Sequence, residues 1–445
     1  MDVFRSRMLL FFWLAPLVAV ADSPPTHEFT LDNGLKVVVR EDHRAPLVSS
    51  QLWFKVGSAD EAPSRSGLSH ALEHMVYKGS HKSCAGEAMK TLDTLGAQYN
   101  AFTGEDFTVH HQTLEPRHLG VAFELMADLM STAHLRAEDW LPEIAVIQEE
   151  RRENQDHPGE LALERFLSLA HLSSGYRTPT IGWMHDLQRL DIADLRDWYQ
   201  TRYAPGNAVL VVVGDVTLEQ VKLLAQTYFG PVAARPFTVS RAPLELDRPG
   251  ERRLILDVPD SATQFLMAFN VPVLVTAEPP RTVYALRLLQ MLLAGSSSAR
   301  LQSQLQFKTP LFSALSSDYN WLGRGDALLL IDGRISNAYT GSLNDVEARV
   351  WQELDKLRTD PPAPDELERA RTQLIAQNIY GQDSIEGQGH FLGSLVSNGL
   401  SWRLMNDEIA ELKKVTPDDI RQAAATYLTR DRLTIAHIQG EQTHE

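Results

Sequence analysis

The strongest constraint on the fold is a pattern that occurs twice in the chain. A helix-like segment around Leu195 leads into an apolar strand over residues 208–213, which stops at Gly214. Roughly 225 residues further on, a similar helix leads into the apolar strand 433–438 and then Gly440. Two copies of one unit indicate a duplicated domain. The sequence therefore predicts an α+β fold with two similar domains, each a mixed or antiparallel sheet packed with helices.

The boundary between the two copies is expected in a proline-rich stretch. Residues 229–250 contain four prolines and few helix-forming signals, so they read as an extended connector. A chain of 445 residues has the length of two or three domains. We predict an N-terminal domain over residues 22–230, an extended linker over 231–251 and a C-terminal domain of the same fold over 252–445.

The first residues of the chain have the pattern of a targeting segment. Two arginines precede the apolar run 8–20, which is too short for a transmembrane helix, and a small-x-small pattern ends at Ala21. Residues 1–21 are therefore predicted to be a signal peptide cleaved after Ala21, which implies a periplasmic or secreted protein. An uncleaved membrane anchor is the alternative. No other segment of the sequence is long and apolar enough to be a stable membrane span.

Charge and cysteine content limit the function classes. The chain has 42 basic and 58 acidic residues and a formal net charge of −16, which disfavours nucleic acid as a partner. An acidic protein with an internal cavity would instead favour cationic peptide segments. Cys84 is the only cysteine, so neither an internal disulfide nor a cysteine-rich zinc site can form. Any metal must be held by histidines and carboxylates.

One short motif carries the chemistry. Residues 66–78 are predicted to form a helix closed by Gly79, and they contain His70, Glu73 and His74. Side chains four apart lie about 40° apart on a helix, so both imidazoles can bind one zinc ion. The order H-x-x-E-H is the inverse of H-E-x-x-H, and its carboxylate can take a proton from a water activated by zinc. The alternative is that His70 and His74 are ordinary core or surface histidines without a metal-binding role.

A catalytic zinc site needs a third protein ligand. The best candidates are Glu143 and Glu150, which are seven residues apart and therefore share a helix face, about 10 Å from each other. Glu149 points about 100° away from Glu150. The alternative is a solvated, charge-laced helix. Spacing alone does not choose among these glutamates.

The motif and its surroundings resemble the inverted-zincin peptidases of the pitrilysin family, which includes insulin-degrading enzyme and the mitochondrial processing peptidase. In that family H-x-x-E-H is followed roughly 75 residues later by a glutamate in a V-I/V-x-x-E setting, and residues 146–150 (VIQEE) fit this pattern. The resemblance implies one Zn²⁺ per chain and the following roles: His70, His74 and Glu150 as metal ligands, Glu73 as general base, and Glu143 as a residue that supports catalysis from nearby.

The same resemblance implies a substrate-binding strand. Asn100, Ala101, Phe102 and Thr103 resemble the family's edge strand beside the zinc. There an extended peptide would add as an extra strand through main-chain hydrogen bonds, so that sequence preference is loose. A plain strand without this role is the alternative.

The second half departs from the family pattern. Family members often carry an arginine and a tyrosine there that hold the substrate and stabilise the oxyanion. Aligned on Arg300, these positions are occupied by Gln306 and Ser313, and the register does not favour Tyr319 or Arg324 as replacements. The C-terminal domain is therefore expected to be inactive. In the family that the chain resembles, short chains of two similar domains often work as pairs, so the resemblance implies a related partner subunit that supplies the arginine and the tyrosine.

These patterns together predict a zinc-dependent endopeptidase that cleaves unstructured peptides in the periplasm, as the metal-bearing subunit of a heterodimer. Its two domains are expected to face each other across a cavity. One alternative is a non-cleaving peptide-binding or assembly subunit of the same family, for which erosion of H-x-x-E-H is the usual mark. The other is a different zinc hydrolase, which would need a third ligand other than Glu150.

Overall fold

The computed structural model describes residues 24–258 and 262–440, so the predicted leader over residues 1–21 lies outside the described residues. The first half forms these strands and helices, in chain order: β1 (Thr26–Thr30), β2 (Lys36–Glu41), β3 (Val48–Phe54), α1 (Leu68–Met75), α2 (Glu87–Thr94), β4 (Gln98–Thr103), β5 (Thr108–Leu114), α3 (Leu119–Thr132), α4 (Ala137–Asp156), α5 (Pro158–Ala170), α6 (Met184–Leu187), α7 (Ile192–Arg202), β6 (Ala208–Gly214) and α8 (Leu218–Tyr228).

The second half follows a connector over residues 231–251 in which neither helix nor strand forms. Its elements are β7 (Arg252–Asp257), β8 (Gln264–Val271), α9 (Arg281–Ala294), β9 (Phe312–Tyr319), β10 (Ala327–Ile335), α10 (Leu343–Thr359), α11 (Pro364–Gly381), α12 (Ile385–Ser397), α13 (Leu404–Lys414), α14 (Pro417–Tyr427) and β11 (Leu433–Gln439). Within the described residues, none of the helices combines the length and apolar character needed to cross a membrane.

The two sheets share the same order of five strands, and the first sheet has β1 as an additional edge strand. The first has the strand order β1-β2-β6-β3-β5-β4 and the second has β7-β11-β8-β10-β9. In each sheet the strand from the repeated sequence unit, β6 or β11, lies between a parallel neighbour and an antiparallel one. The helix before each, α7 or α14, begins with a capping box. The predicted α+β fold of two similar domains is confirmed.

Local turn chemistry matches the sequence in one place and departs from it in another. Asn33 and Gly34 form the turn between antiparallel β1 and β2, with Gly34 in the left-handed region at φ 90°. The helix predicted over residues 66–78, by contrast, ends at Met75. The amide of Lys78 donates to the carbonyl of Met75, so a tight turn replaces the last helical turn that was expected.

Each domain packs one of its helices against the sheet of the other domain. Helix α5 of the first half packs on β7, β8 and β11, and its Phe166 is fully buried there. Helix α12 of the second half packs on β3 and β6. A Cβ atom on Gly393 would lie 2.1 Å from the ring of Trp53, so only glycine permits this close approach of α12 to the sheet. The halves therefore form one packed body.

Candidate metal centre

Helix α1 is fixed at its start by a side chain from outside the helix. Gly67 occupies the N-cap position with φ 92° and has no side chain to cap the helix. Glu61 takes over this task, because its two carboxylate oxygens accept hydrogen bonds of 2.7 Å from the amides of Gly67 and Ser69. A carboxylate is also favoured at this end by the helix dipole.

The amphipathic pattern of α1 sets the direction of the motif. Its apolar face, which includes Leu68, Leu72 and Met75, is buried in the core of the first domain. The remaining side of the helix carries His70 and Glu73, which line a cleft beside β4. Burial of one face thus orients the polar face without any contribution from a metal.

Three potential metal ligands converge between α1 and α4. The Nε2 atoms of His70 and His74 lie 3.9 Å and 3.7 Å from Oε2 of Glu150, and one ligand atom from each of the three residues falls within 4.8 Å of the others. Zinc binds imidazole nitrogen and carboxylate oxygen at about 2.0–2.2 Å in a tetrahedral arrangement, so two of its ligand atoms lie roughly 3.4 Å apart, a few tenths of an ångström closer than the two distances to Glu150. The separations and the donor types therefore fit a zinc ion.

Glu143 does not point at the same place as Glu150. Its Oε1 accepts a hydrogen bond of 3.0 Å from Nδ1 of His74, and its other oxygen pairs with Lys78. When His74 donates from Nδ1, its Nε2 is left free to bind a metal. Glu149 lies on the exposed side of α4 and pairs with Arg152. The structure thus separates three glutamates that sequence spacing could not distinguish.

His70 is held in the form that metal binding needs. Burial, and to a lesser extent the neighbouring ring of His74, lowers the pKa of His70 to about 4. The imidazole is therefore neutral at pH 7. Its Nδ1 is buried and has no hydrogen-bond partner within the described residues.

Glu73 lies beside the converging ligands and contacts β4. Thr103 donates a hydrogen bond of 2.6 Å from Oγ1 to Oε2 of Glu73. Burial raises the pKa of Glu73, and the hydrogen bond from Thr103 opposes that rise. A half-buried carboxylate with one fixed oxygen can accept a proton on the other.

Strand β4 is the edge strand of the first sheet and pairs only with β5 within the described residues. Thr103 points toward α1, and by the two-residue period of a strand Ala101 points the same way. Asn100 and Phe102 belong to the opposite face, where the Phe102 ring packs against Trp53. The free edge of β4 runs past the candidate metal ligands.

Two clefts open on either side of Glu73 and Ala101, which line both of them. One has a volume of about 550 Å³, and His70, Glu73 and Glu150 line it. The other has a volume of about 350 Å³, with His74 and Tyr99 among its lining residues. Every lining residue of both clefts lies between residues 70 and 181. Both clefts are therefore formed by the first domain, and the cavity expected between the two domains stays a prediction.

Among the described residues of the C-terminal domain, no second cluster of potential metal ligands forms. Helix α9 follows β8 as α1 follows β3, and it contains neither histidine nor an acidic residue. Gln306 donates a hydrogen bond of 3.1 Å to the carbonyl of Ser313, so the two positions expected to carry arginine and tyrosine are neighbours. The hydroxyl of Tyr319 donates to Pro272, and Arg324 pairs with two aspartates. None of these four residues lines either cleft.

Sequence reasoning missed several supporting contacts. Glu61 was not predicted as the cap of α1, although a glycine at the N-cap implies an acceptor elsewhere. The hydrogen bond from Thr103 to Glu73 and the pairing of Lys78 with Glu143 were also missed. Metal-binding histidines usually have a carboxylate partner, and this rule could have indicated the contact between Glu143 and His74.

Comparison with known proteins assigns the chain to a family. A model described as Insulinase (Peptidase family M16) matches residues 36–181, and one described as Peptidase M16 inactive domain matches residues 189–374. Together they span more than half of the chain, which therefore belongs to peptidase family M16. The resemblance to the pitrilysin family that the motifs indicated is confirmed.

Relatives of similar length include proteins named as zinc proteases. The zinc protease PqqE of Helicobacter pylori is 29% identical over 383 residues, which cover 84% of this chain and 85% of the relative. An uncharacterized zinc protease of Streptomyces coelicolor is 26% identical over 410 residues, covering 90% and 87% of the two chains. The family membership therefore extends over both domains.

Solved structures share the fold. A protease from Helicobacter pylori has a TM-score of 0.86 at 24% identity, with 94% of this chain and all 100% of the other covered. The first half of the periplasmic protease PqqL from Escherichia coli has a TM-score of 0.78 at 18% identity, covering 93% and 91%. The two-domain arrangement is thus that of M16 peptidases.

Proposed function

We propose that this chain is a zinc-dependent endopeptidase that cleaves unstructured peptides in the periplasm. The observation that carries the proposal is the convergence of His70, His74 and Glu150 within 4.8 Å, with Glu73 next to them at a free strand edge. Membership in a peptidase family whose members include named zinc proteases supports the same chemistry.

In this proposal His70, His74 and Glu150 hold one zinc ion per chain. Zinc, when bound, lowers the pKa of water toward 7 and polarises the carbonyl that is to be attacked. Glu73 takes the proton of the attacking water and delivers it to the leaving amine. Glu143 acts as a positioning residue, because it fixes the ring of His74 through Nδ1.

The substrate is proposed to bind along β4. An extended peptide can add to the free edge through main-chain hydrogen bonds, which any sequence provides. Asn100, Ala101, Phe102 and Thr103 form the part of β4 that runs past Glu73. In a folded protein most extended segments are already paired within a sheet, so flexible peptides are the expected substrates.

The two domains are proposed to differ in role. We assign residues 22–230 to the zinc-binding domain, 231–251 to the linker and 252–445 to a domain without catalytic ligands. Because Gln306 and Ser313 can supply neither a guanidinium nor a phenol, the arginine and tyrosine are proposed to come from a related partner subunit. The active enzyme would then be a heterodimer.

The location is proposed from the leader and one relative. Residues 1–21 have the pattern of a signal peptide with cleavage after Ala21. A structurally similar protein, PqqL of Escherichia coli, is named a periplasmic protease. N-terminal sequencing of the protein recovered from the periplasm tests this part, and a chain that still begins at Met1 would contradict it.

A non-cleaving peptide-binding subunit is the second candidate. The family model that matches residues 189–374 is described as an inactive domain, but it does not include the H-x-x-E-H motif. The two candidates differ in one measurement: hydrolysis of a flexible, fluorescence-quenched peptide by the wild type and by Glu73→Gln, each at measured zinc content. Loss of cleavage with zinc retained supports the peptidase. Peptide binding without cleavage by the wild type, both alone and with a candidate partner subunit, supports the alternative.

A further inference from the structure

One buried arginine ties the turn after β4 to the C-terminal domain. The backbone amide of Arg324 donates to Oδ2 of Asp106 at 2.9 Å, and its Nε donates to Oδ1 of the same residue at 3.3 Å. Its Nη2 donates to Oδ2 of Asp60 at 3.1 Å. All three side chains are largely buried. A single guanidinium thus bridges two carboxylates in a largely buried site, where an unpaired charge is costly.

A tyrosine joins this contact to the wall of the larger cleft. The hydroxyl of Tyr176 donates to Oδ2 of Asp106 at 2.6 Å and accepts the amide of Gly325 at 2.9 Å. Tyr176 also lines the cleft that His70 and Glu73 line. The turn after β4, the cleft wall and a loop of the C-terminal domain therefore share one hydrogen-bond network.

The loop that carries Arg324 is held in place within its own domain. The side chain of Asn398 donates to the carbonyl of Leu322 at 2.6 Å, and the amide of Leu274 donates to the carbonyl of Trp321 at 3.1 Å. Arg324 is consequently presented from a fixed backbone, so its contact with Asp106 transmits the position of the C-terminal domain to the turn.

A second contact reaches β4 itself from the same domain. The ring of His390 on α12 stacks on Phe102, with ring centroids 5.2 Å apart and planes inclined by 22°. His390 also packs edge-on against Trp53 on β3, at 5.0 Å. These contacts are on the face of β4 opposite to Thr103 and Glu73. On this face β4 is thus supported by α12, at the point where its opposite face meets α1.

We propose that Arg324 and His390 are positioning residues that set the place of β4 relative to Glu73 and the metal ligands. The inference rests on the proposed function, in which a peptide adds to the edge of β4. A peptide held by main-chain hydrogen bonds moves with the strand, and a displacement of about 1 Å at a reacting bond can cost roughly a hundredfold in rate. The C-terminal domain, which has no zinc motif, would then act by holding β4, the strand to which the substrate adds.

The competing explanation is that Arg324 and His390 only hold the two domains together. A substitution at Gln388 distinguishes this explanation from the positioning of β4. Gln388 is on α12 beside His390, and its side chain bonds to Arg40 at 2.7 Å and to Asp42 at 2.8 Å. Those partners belong to the end of β2, which three strands separate from β4. Gln388→Ala therefore weakens the same domain contact without touching β4 and serves as the matched control.

Hydrogen exchange of the full chain tests the positioning directly. Lysine cannot bridge two carboxylates as arginine does, so Arg324→Lys should speed exchange of amides in residues 98–107 at least about fivefold. His390→Ala should do the same, whereas His390→Phe, which keeps a stacked ring, should restore the wild-type rate. Gln388→Ala should leave residues 98–107 unchanged. Unchanged exchange in Arg324→Lys and His390→Ala, or an equal rise in Gln388→Ala, would overturn the proposal.

Peptide binding provides the functional test. In a zinc-loaded Glu73→Gln background, Arg324→Lys and His390→Ala should each raise the Kd of a labelled flexible peptide about tenfold, with zinc content unaltered. Unchanged affinity in both variants would contradict the role in substrate binding. If the background binds no peptide, either alone or with a candidate partner subunit, the proposed function fails, while hydrogen exchange still decides the positioning. If Arg324→Lys does not fold, Tyr176→Phe is used in its place, because this substitution removes one hydrogen bond to Asp106 and keeps the ion pairs of Arg324. Tyr176→Phe should also speed amide exchange in residues 98–107. An unchanged exchange rate would overturn the proposal.

Discussion

Oε1 of Glu143 lies 3.0 Å from Nδ1 of His74, on the side of the ring away from Glu150. Helix α4 thus contacts the His74 ring with two glutamates, because Glu150 approaches Nε2 and Glu143 bonds to Nδ1. In the proposed metal centre, Glu150 binds the ion and Glu143 orients the ring. A ligand whose orientation is fixed in advance loses less freedom when the metal binds.

Glu143→Ala should weaken zinc binding by about 10–100-fold, because His74 then loses the group that fixes its tautomer and ring angle. Competition with a chromophoric chelator measures the zinc Kd. Glu149→Ala on the same helix is the control and should leave the Kd unchanged, since Glu149 lies on the exposed side. Equal effects of the two substitutions would show that Glu143 does not orient His74.

Thr103→Val removes the hydrogen bond that fixes one oxygen of Glu73 but keeps the shape of the side chain. We expect kcat to fall about tenfold with zinc content unchanged, because Glu73 can then rotate away from the attacking water. Thr113→Val, on the neighbouring strand β5, is the control. An unaltered kcat in Thr103→Val would show that this bond does not position Glu73.

Acid should weaken the contact between the domains at Asp42. Hydrogen bonds from Arg44 are the largest cause that lowers the pKa of Asp42 to about 2, and Gln388 adds to them. The unfolded chain has a pKa of about 3.9, so the stabilisation is complete above that value and is lost as pH falls from about 4 to about 2. The difference in unfolding free energy between wild type and Asp42→Asn should therefore shrink over this window.

Urea denaturation at a series of pH values measures that difference. Asp383→Asn is the control, because Asp383 contacts the same Arg44 but is mostly exposed, and its effect should be small throughout. A gap between wild type and Asp42→Asn that stays constant down to the lowest pH would contradict the assignment.

Phe166→Ala should lower the unfolding free energy by about 3–5 kcal/mol, because this fully buried ring connects α5 to the second sheet. Phe307→Ala is the matched control: that ring is 60% exposed, and its loss should change stability by about 0.5 kcal/mol or less. Denaturation curves give both values. A similar loss of unfolding free energy in the two variants would contradict the packing of α5 against the second sheet.

The sequence predicted those parts of the fold that depend on local pattern or on repetition. The repeated unit predicted equivalent places for β6 and β11. Asn33 and Gly34 have the turn chemistry of a hairpin and form the first one, because turn residues act over a few positions. The exchange of α5 and α12 between the domains was not predictable. It depends on contacts such as that of Gly393 with Trp53, which are far apart in the chain.

In the candidate site, too, some features could be predicted from local sequence and others depend on tertiary packing. His70, Glu73 and His74 follow from helical spacing, since their relation is fixed within one turn. Helical spacing left the roles of Glu143 and Glu150 open, because these depend on how α4 packs against α1. The capping of α1 by Glu61 and the hold of Arg324 on Asp106 arise only in the assembled fold.

X-ray absorption at the zinc edge, on the purified full chain with measured metal content, tests the central claim most directly. We predict one zinc ion per chain with two imidazole nitrogens and at least one carboxylate oxygen at about 2.0–2.2 Å. Glu150→Ala should remove most of the zinc, and Glu73→Gln should retain it. Full zinc retention in Glu150→Ala, or a spectrum without imidazole ligands, would contradict the proposed metal centre.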